Sequence, residues 1–385
     1  MNILITSIVD LMSSQHNRPH QFVKYLSKKH DVTVLSIKDW WKAEQGDLES
    51  YSNDFDSAFK RANLIYLTER RISPILQEVL SAKKVHDVIK EGFDVHLNYS
   101  TLRSGYTAAK EINTIYDIAD DLGAMIRASP QIPWPLRPFG GIIGDLMIKQ
   151  NINVSKIVTV TTGRLIDTYN IPISKSEVIP NGVDIELFRD YGTVKREELK
   201  LNGYILGYVG VLREWVDLRP VFMALKNLNK NIKMIVVGHE GGFDENVSLA
   251  KQCGVADRVI FTGIVPYSQV PKYISAMDVC LIPFYRGAIS ESALPLKLFE
   301  YMACKRPVIT TELSGVKRAV GDIVLYANNE DEYKTQINKL YSDKELALNM
   351  GRCGRKFVES DYNWRDIVGK LERKLSLISL EAISS

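Results

Sequence analysis

The sequence predicts an α/β chain with two parallel sheets, each covered by helices on both faces. Three observations predict it. Short β-rich runs alternate with helix-period patterns from end to end, as parallel strands joined by helical crossovers do. A chain of 385 residues is long enough for two separate cores. The alternation also breaks once, at 182–190, where a turn closes one series and the charged run KREELK at 195–200 precedes the next.

In the first series, strands are expected at 3–8, 32–37, 64–67, 95–99, 114–118, 157–160 and 177–179. Runs such as ILITSI and VTVLSI are apolar along most of their length, as strands buried on both faces require. Asn17 is an N-cap candidate with Pro19 in the first turn, so a helix starts there after the first strand. In the second series, strands are expected at 205–209, 232–237, 258–261, 279–282, 308–310 and 323–325. A helical pattern over 363–378 closes the chain, and no fixed-period repeat or low-complexity tract interrupts it.

Composition narrows the function. The net charge of +3, from 49 basic and 46 acidic residues, is too small to argue for nucleic acid, and no RNA-binding or zinc-finger motif is present. Cys253, Cys280, Cys304 and Cys353 form no CxxC pair and have no zinc spacing, so reduced thiols in a cytosolic protein are expected. No run approaches the ~18 apolar residues that span a bilayer, and the chain starts on a strand rather than a cleavable leader. One segment, QIPWPLRPFGGIIGDLMIK at 131–149, clusters apolar side chains around Arg137 and Lys149. It is either an interfacial segment, placing the protein at the inner face of the cell membrane, or a Pro-rich loop packed on the core.

The chemistry concentrates in PLKLFEYMACKRPVI, 295–309. Lys297 and Glu300 are three apart and share a helix face, offering a cation to phosphate and a carboxylate to a sugar diol. Spacing alone leaves open an amphipathic helix with a surface ion pair. Gly210, at the end of a strand, is placed to let a phosphate approach the backbone, or forms a plain βα turn.

The 295–309 segment resembles the nucleotide-sugar motif of family 4 glycosyltransferases, in the subgroup whose helix reads P-L-K-L-F-E-Y-M-A. IPNGVDIELF (179–188), GYVGVLREWVD (207–217) and RVIFTGIVPYSQVPKYISAMDVCLIP (258–283) resemble the flanking motifs of that family, while 17–36 and 114–121 match more loosely. The resemblance implies the GT-B fold: two Rossmann-like doubly wound parallel-sheet domains facing a central cleft. Expected domains are 1–185 on the acceptor side, 186–362 for the nucleotide sugar, and 363–385 as a helix crossing back.

By the same resemblance, Gly210 lies in the diphosphate loop with Arg213, Lys297 is the cation that joins Arg213 on the donor diphosphate, Val265 lies in the turn reading the base, and Glu300 holds the ribose, while Gly238, ending a preceding strand, is expected to border the pocket. The sequence departs from the family in places. The family's first glutamate falls on Ser292, with Glu291 adjacent, so the donor sugar is met by Glu291 from a shifted loop, or by Ser292 and the N–H groups of Ala293 and Leu294. Ser13 and Ser14 replace a glycine pair, Arg18 and His20 start the helix behind them, and Asp120 stands where a histidine is usual, near the reacting carbon. The implied activity is retaining transfer, without a metal or cofactor, from a nucleotide-diphosphate sugar (UDP or GDP) to a glycan, lipid-linked or other hydroxyl acceptor. A sugar-nucleotide epimerase or a non-catalytic sugar-nucleotide-binding protein remains as an alternative; a dinucleotide oxidoreductase lacks its G-x-G-x-x-G.

Overall fold

The computed structural model describes residues 1–14, 16–39, 56–128, 132, 134–239 and 241–383. They divide into two compact units, Met1–Pro180 with Arg365–Ser385, and Asn181–Trp364. Of the apolar segment at 131–149, Gln131 and Pro133 lie outside the described residues, as does Glu240 of the loop after Gly238.

The first unit is built on a parallel sheet of seven strands: β1 (Asn2–Ser7), β2 (Asp31–Ser36), β3 (Ala62–Tyr66), β4 (Val95–Tyr99), β5 (Thr114–Ile118), β6 (Ile157–Val160) and β7 (Ser176–Val178). Their order is β3-β2-β1-β4-β5-β6-β7, and Ile3 lies opposite Val32 on one side and Val95 on the other. Ile3, Leu4 and Ile5 are fully buried, because helices cover both faces of this central strand. The order reverses between β1 and β4, and the loops after those strands meet at the reversal, where doubly wound sheets place ligands.

Five helices of this unit matter here: α1 (Arg18–Leu26), α2 (Pro74–Leu80), α3 (Arg103–Ala109), α4 (Leu122–Ala128) and α5 (Arg137–Val154). The Asn17 side chain caps α1, and Asn17 N–H donates in return to Nδ1 of His20 at 3.1 Å, a capping box with Pro19 inside the first turn. α4 and α5 approach closely at Gly144, where an added Cβ would sit 2.6 Å from Cδ1 of Ile126.

The second unit has a six-stranded parallel sheet: β8 (Tyr204–Val209), β9 (Ile232–Val237), β10 (Val259–Phe261), β11 (Val279–Ile282), β12 (Val308–Thr310) and β13 (Leu325–Tyr326). The order β10-β9-β8-β11-β12-β13 reverses between β8 and β11. Between β11 and β12 runs α6 (Leu296–Ala303), and after β12 comes α7 (Ser314–Val320). The last helix, α8 (Trp364–Ile383), belongs to the first unit from Arg365 onward. It is tied there by Glu372 to Lys29 (2.9 Å) and His30 (3.0 Å), and by Lys374 to Glu177 (2.9 Å). Every strand read from the sequence is present with ends within two residues of the expectation. Among the described residues, no helix is long and apolar enough to cross a membrane.

Candidate functional site

In the second unit the site grows from the end of β8. After Val209 the chain turns at Gly210 with φ +126, a conformation that L side chains rarely adopt, and its N–H donates to the Val237 carbonyl at 2.8 Å. A Cβ on Gly210 would lie 2.8 Å from Nζ of Lys297, so the lysine stands directly over a loop that only glycine leaves open. Lys297 Nζ donates to the Tyr208 hydroxyl at 2.7 Å and lies 4.0 Å from the centre of that ring. One turn further along α6, the Tyr301 hydroxyl accepts the Val209 N–H at 2.7 Å, fixing the helix against the strand that carries the glycine. Glu300 is 7% exposed and accepts from the Tyr267 hydroxyl at 3.2 Å.

The electrostatics follow from burial. Desolvation pulls the Lys297 ammonium down to about 7 against the opposing charge of Glu300. The same desolvation raises Glu300 to about 7, with the Tyr267 hydroxyl and Lys297 resisting. An anion arriving at Lys297 would restore its charge, and the N-terminus of α6 adds positive potential. Arg213 is exposed on the loop after Gly210. Burial raises the Tyr208 hydroxyl and the Arg213 charge opposes that, so the guanidinium is within electrostatic reach of Lys297's partner. Gly238 ends β9 beside this loop, with its N–H on the Gly263 carbonyl at 2.9 Å; Val265 follows Gly263, partly buried on the core.

The segment before α6 is used differently. Glu291 accepts from Arg286 Nε at 2.8 Å and from the Ser314 N–H at 2.9 Å, so it caps α7. Burial pushes its carboxyl up, but the Ser314 and Arg286 hydrogen bonds outweigh this and hold it below the usual value. Ser292 is 1% exposed, the Ala293 N–H donates to Ser290, and the Leu294 carbonyl accepts from Asn181.

In the first unit, Asp120 lies just past β5 and is exposed. The surrounding protein raises its carboxyl to about 6; Arg18 pulls the other way, while Asp121 and Asp117 add to the rise. Asp121 caps α4 and accepts from the Tyr169 hydroxyl at 2.8 Å. Asp117 receives both forks of Arg18 at 2.8 Å. Arg18 is 1% exposed and also donates to the Pro180 carbonyl. His20 and Ser14 are likewise buried, His20 between the Asn17 N–H and the Leu11 carbonyl. The structure therefore gathers Gly210, Arg213, Gly238, Lys297 and Glu300 at one end of the second sheet, and places Asp120 at the equivalent end of the first while Arg18, His20 and Ser14 turn inward.

Sequence reasoning missed Tyr208 and Tyr267, although both lie inside the motifs that flank the site. It also missed Ser100, held at φ +54 with its hydroxyl on the Asp117 carbonyl, and Tyr99, whose hydroxyl is raised by burial and by the nearby Asp120 charge. Among the described residues, no cluster of His, Cys, Asp or Glu is arranged to hold a metal ion.

Residues 193–357 match the family model of the glycosyl transferases group 1. The chain is 24% identical over 243 residues to an uncharacterized glycosyltransferase of Methanocaldococcus jannaschii, covering 60% of each. It is 28% identical over 215 residues to a GDP-mannose-dependent alpha-(1-6)-phosphatidylinositol monomannoside mannosyltransferase of Mycobacterium tuberculosis, covering 52% of this chain and 55% of that one. The matches thus span little more than half the length of these relatives. A structure of HepE from Anabaena in complex with UDP superposes with a TM-score of 0.73 at 16% identity, over 98% of this chain and 100% of that one. Two Rossmann-like parallel-sheet units and this likeness identify the fold as GT-B.

Proposed function

We propose that this GT-B chain, whose second unit matches the group 1 glycosyl transferases, is itself a glycosyltransferase: it moves a sugar from a nucleotide-diphosphate sugar to a hydroxyl acceptor on a glycan or a lipid-linked glycan. The observation that carries the reading is Lys297 over Gly210, with Glu300 one turn further along the same helix face. This pairs a cation with an open backbone for the diphosphate and a carboxylate for the ribose hydroxyls.

In this reading Lys297, Arg213 and the N-terminus of α6 stabilise the charge that grows on the departing diphosphate, with no metal needed. The bond from the anomeric carbon to the phosphate oxygen breaks as the sugar gains oxocarbenium character. The acceptor oxygen bonds to that carbon on the same face, and its proton passes to the released phosphate oxygen, so configuration is retained. Asp120 is the substrate-side carboxylate of the first unit, accepting from a sugar hydroxyl. Gly238 and Val265 line the nucleotide side. The relative named above uses GDP-mannose and the neighbour holds UDP, so UDP- and GDP-sugars are the first donors to try. A lipid-linked acceptor would bring the enzyme to a membrane surface, consistent with the exposed apolar side chains of α5.

A thermal-shift screen against UDP-, GDP-, ADP- and dTDP-sugars tests donor binding: a specific donor at ~100 times its dissociation constant adds about 2.7 kcal/mol of apparent stability. Lys297→Ala should lower turnover roughly 10²-fold or more, with Glu300→Gln raising the donor's KM. Near-parental activity of both variants would refute the site. Strict dependence on a divalent ion would refute the metal-free mechanism.

A further inference from the structure

One side chain of the second unit is more polar than its place in the fold requires. Tyr208 is the next-to-last residue of β8, fully buried in a strand that is buried along nearly its whole length, where phenylalanine would fill the same space. A buried hydroxyl costs free energy unless its hydrogen bonds are made. This one is fully used: it donates its single hydrogen to the Val211 carbonyl at 2.8 Å and accepts from Lys297 Nζ at 2.7 Å.

The two bonds act on different parts of the site. Val211 follows Gly210, so the bond to its carbonyl ties down the far side of the loop, while the Tyr301 hydroxyl accepts the N–H of Val209 on the near side. Gly210 therefore lies between two tyrosine anchors, one from β8 and one from α6. A Cβ on Gly238 would sit 2.5 Å from the Gly210 carbonyl oxygen, so the end of β9 closes against the loop as well.

The other bond acts on the lysine, a long side chain that gives up much rotamer freedom when it is fixed. Around Nζ stand the Tyr208 ring at 4.0 Å, the Phe284 ring at 5.6 Å from the loop after β11, Glu300 on the same helix, and the Arg213 charge felt at the Tyr208 hydroxyl. Burial pushes that hydroxyl far above its ordinary range, so it stays protonated wherever the lysine titrates. With its hydrogen committed to Val211, it meets Nζ as an acceptor, and an acceptor favours the charged lysine over the neutral one. We infer that Tyr208 is a positioning residue of the donor site, its hydroxyl holding the Lys297 ammonium over the glycine loop while pinning the loop beneath it. The inference rests on the donor reading above and deepens it.

The test starts with the full chain free of ligand. Trace acetylation by acetic anhydride across a pH series, read on the peptide that carries Lys297, gives the titration midpoint of that lysine. Tyr208→Phe keeps the ring and removes the hydroxyl, so the midpoint should fall by about one pH unit. Calorimetric titration with UDP and with GDP should then show affinity reduced about tenfold near pH 8 but less than about twofold near pH 5.5, where the free lysine is charged with or without the hydroxyl. An unmoved midpoint, or a loss of affinity equal at both pH values, would make Tyr208 a plain core residue and overturn the inference. Tyr301→Phe is the control: it removes the acceptor from Val209 and should lower the melting temperature with the midpoint in place. A midpoint moved as far by Tyr301→Phe would assign the lysine's position to the seating of α6 and also overturn it. Should Tyr208→Phe fail to fold, fluorotyrosine at position 208 supplies a weaker acceptor of nearly the same size and must move the midpoint in the same direction. A parent that binds neither UDP nor GDP would count against the proposed activity, and the acetylation would still decide whether the hydroxyl holds Lys297.

Discussion

Burial draws Lys297 down and Glu300 up to about 7, from opposite sides. In the proposed site a nucleotide-diphosphate sugar, fully ionised across this range, would favour charged Lys297, and its ribose would favour ionised Glu300. Above about 7 the lysine is mostly neutral when free, so binding takes up a proton and affinity falls as pH rises. Below about 7 the glutamate is mostly protonated when free, so binding releases a proton and affinity falls as pH drops. Donor affinity should therefore peak near neutrality. Calorimetry in buffers of different ionisation enthalpy should find the sign of proton exchange reversing there, with Glu300→Gln losing the acid limb and Lys297→Met the alkaline one. Gly210→Ala is the steric counterpart. The strain of φ +126 and the clash with Lys297 should cost about 1–3 kcal/mol and weaken donor binding, measured by melting and by titration. The placing of Lys297 and Glu300 on one helix was legible because both sit in one local motif. Tyr208 and Tyr267 were not, since nothing in a sequence says which hydroxyl a distant lysine or glutamate will reach.

The Arg18–Asp117 pair fastens the start of α1 to the end of β5 across 99 positions of sequence, and it has almost no contact with water. Asp117→Asn should cost roughly 3–5 kcal/mol, because it strands a buried guanidinium, and chemical denaturation of the full chain would measure it. Replacing both partners with apolar residues should recover much of that loss. Glu291→Gln weakens a cap on α7 and should cost about 0.5–2 kcal/mol with donor KM little changed; a collapse of turnover would return Glu291 to the donor sugar. Strands were readable from their apolar runs, and α1 from Asn17 and Pro19. The roll of α2 was not readable, because a helix is expected to bury its apolar face. Here the hydrogen bonds made by Gln77 and Glu78, to partners 39 and about 25 residues away, decide which face turns inward.

At the scale of the molecule, the seam at 180–181 and the return of α8 assign both ends of the chain to the same unit. α8 buries Ile367, Val368, Leu371, Leu375 and Ile378 against it. At about 1.5–3 kcal/mol for each such side chain, the burial is comparable to the whole net stability of a typical domain, about 5–15 kcal/mol. Ending the chain after Trp364 should unfold the first unit while the Asn181–Trp364 sheet persists, which hydrogen exchange resolved by peptide would separate. The two-sheet plan was legible because parallel strands announce themselves one by one, while the return of the terminal helix was expected from the family resemblance alone, since its partner depends on contacts across nearly the whole sequence. That dependence also sets an order of events during synthesis. When a ribosome has finished the seventh strand, the sheet it has made still lacks its last cover, and at ~5–20 residues per second the missing helix follows roughly 10–40 s later. For that interval the nascent first unit presents uncovered apolar surface, a natural site for a chaperone to hold.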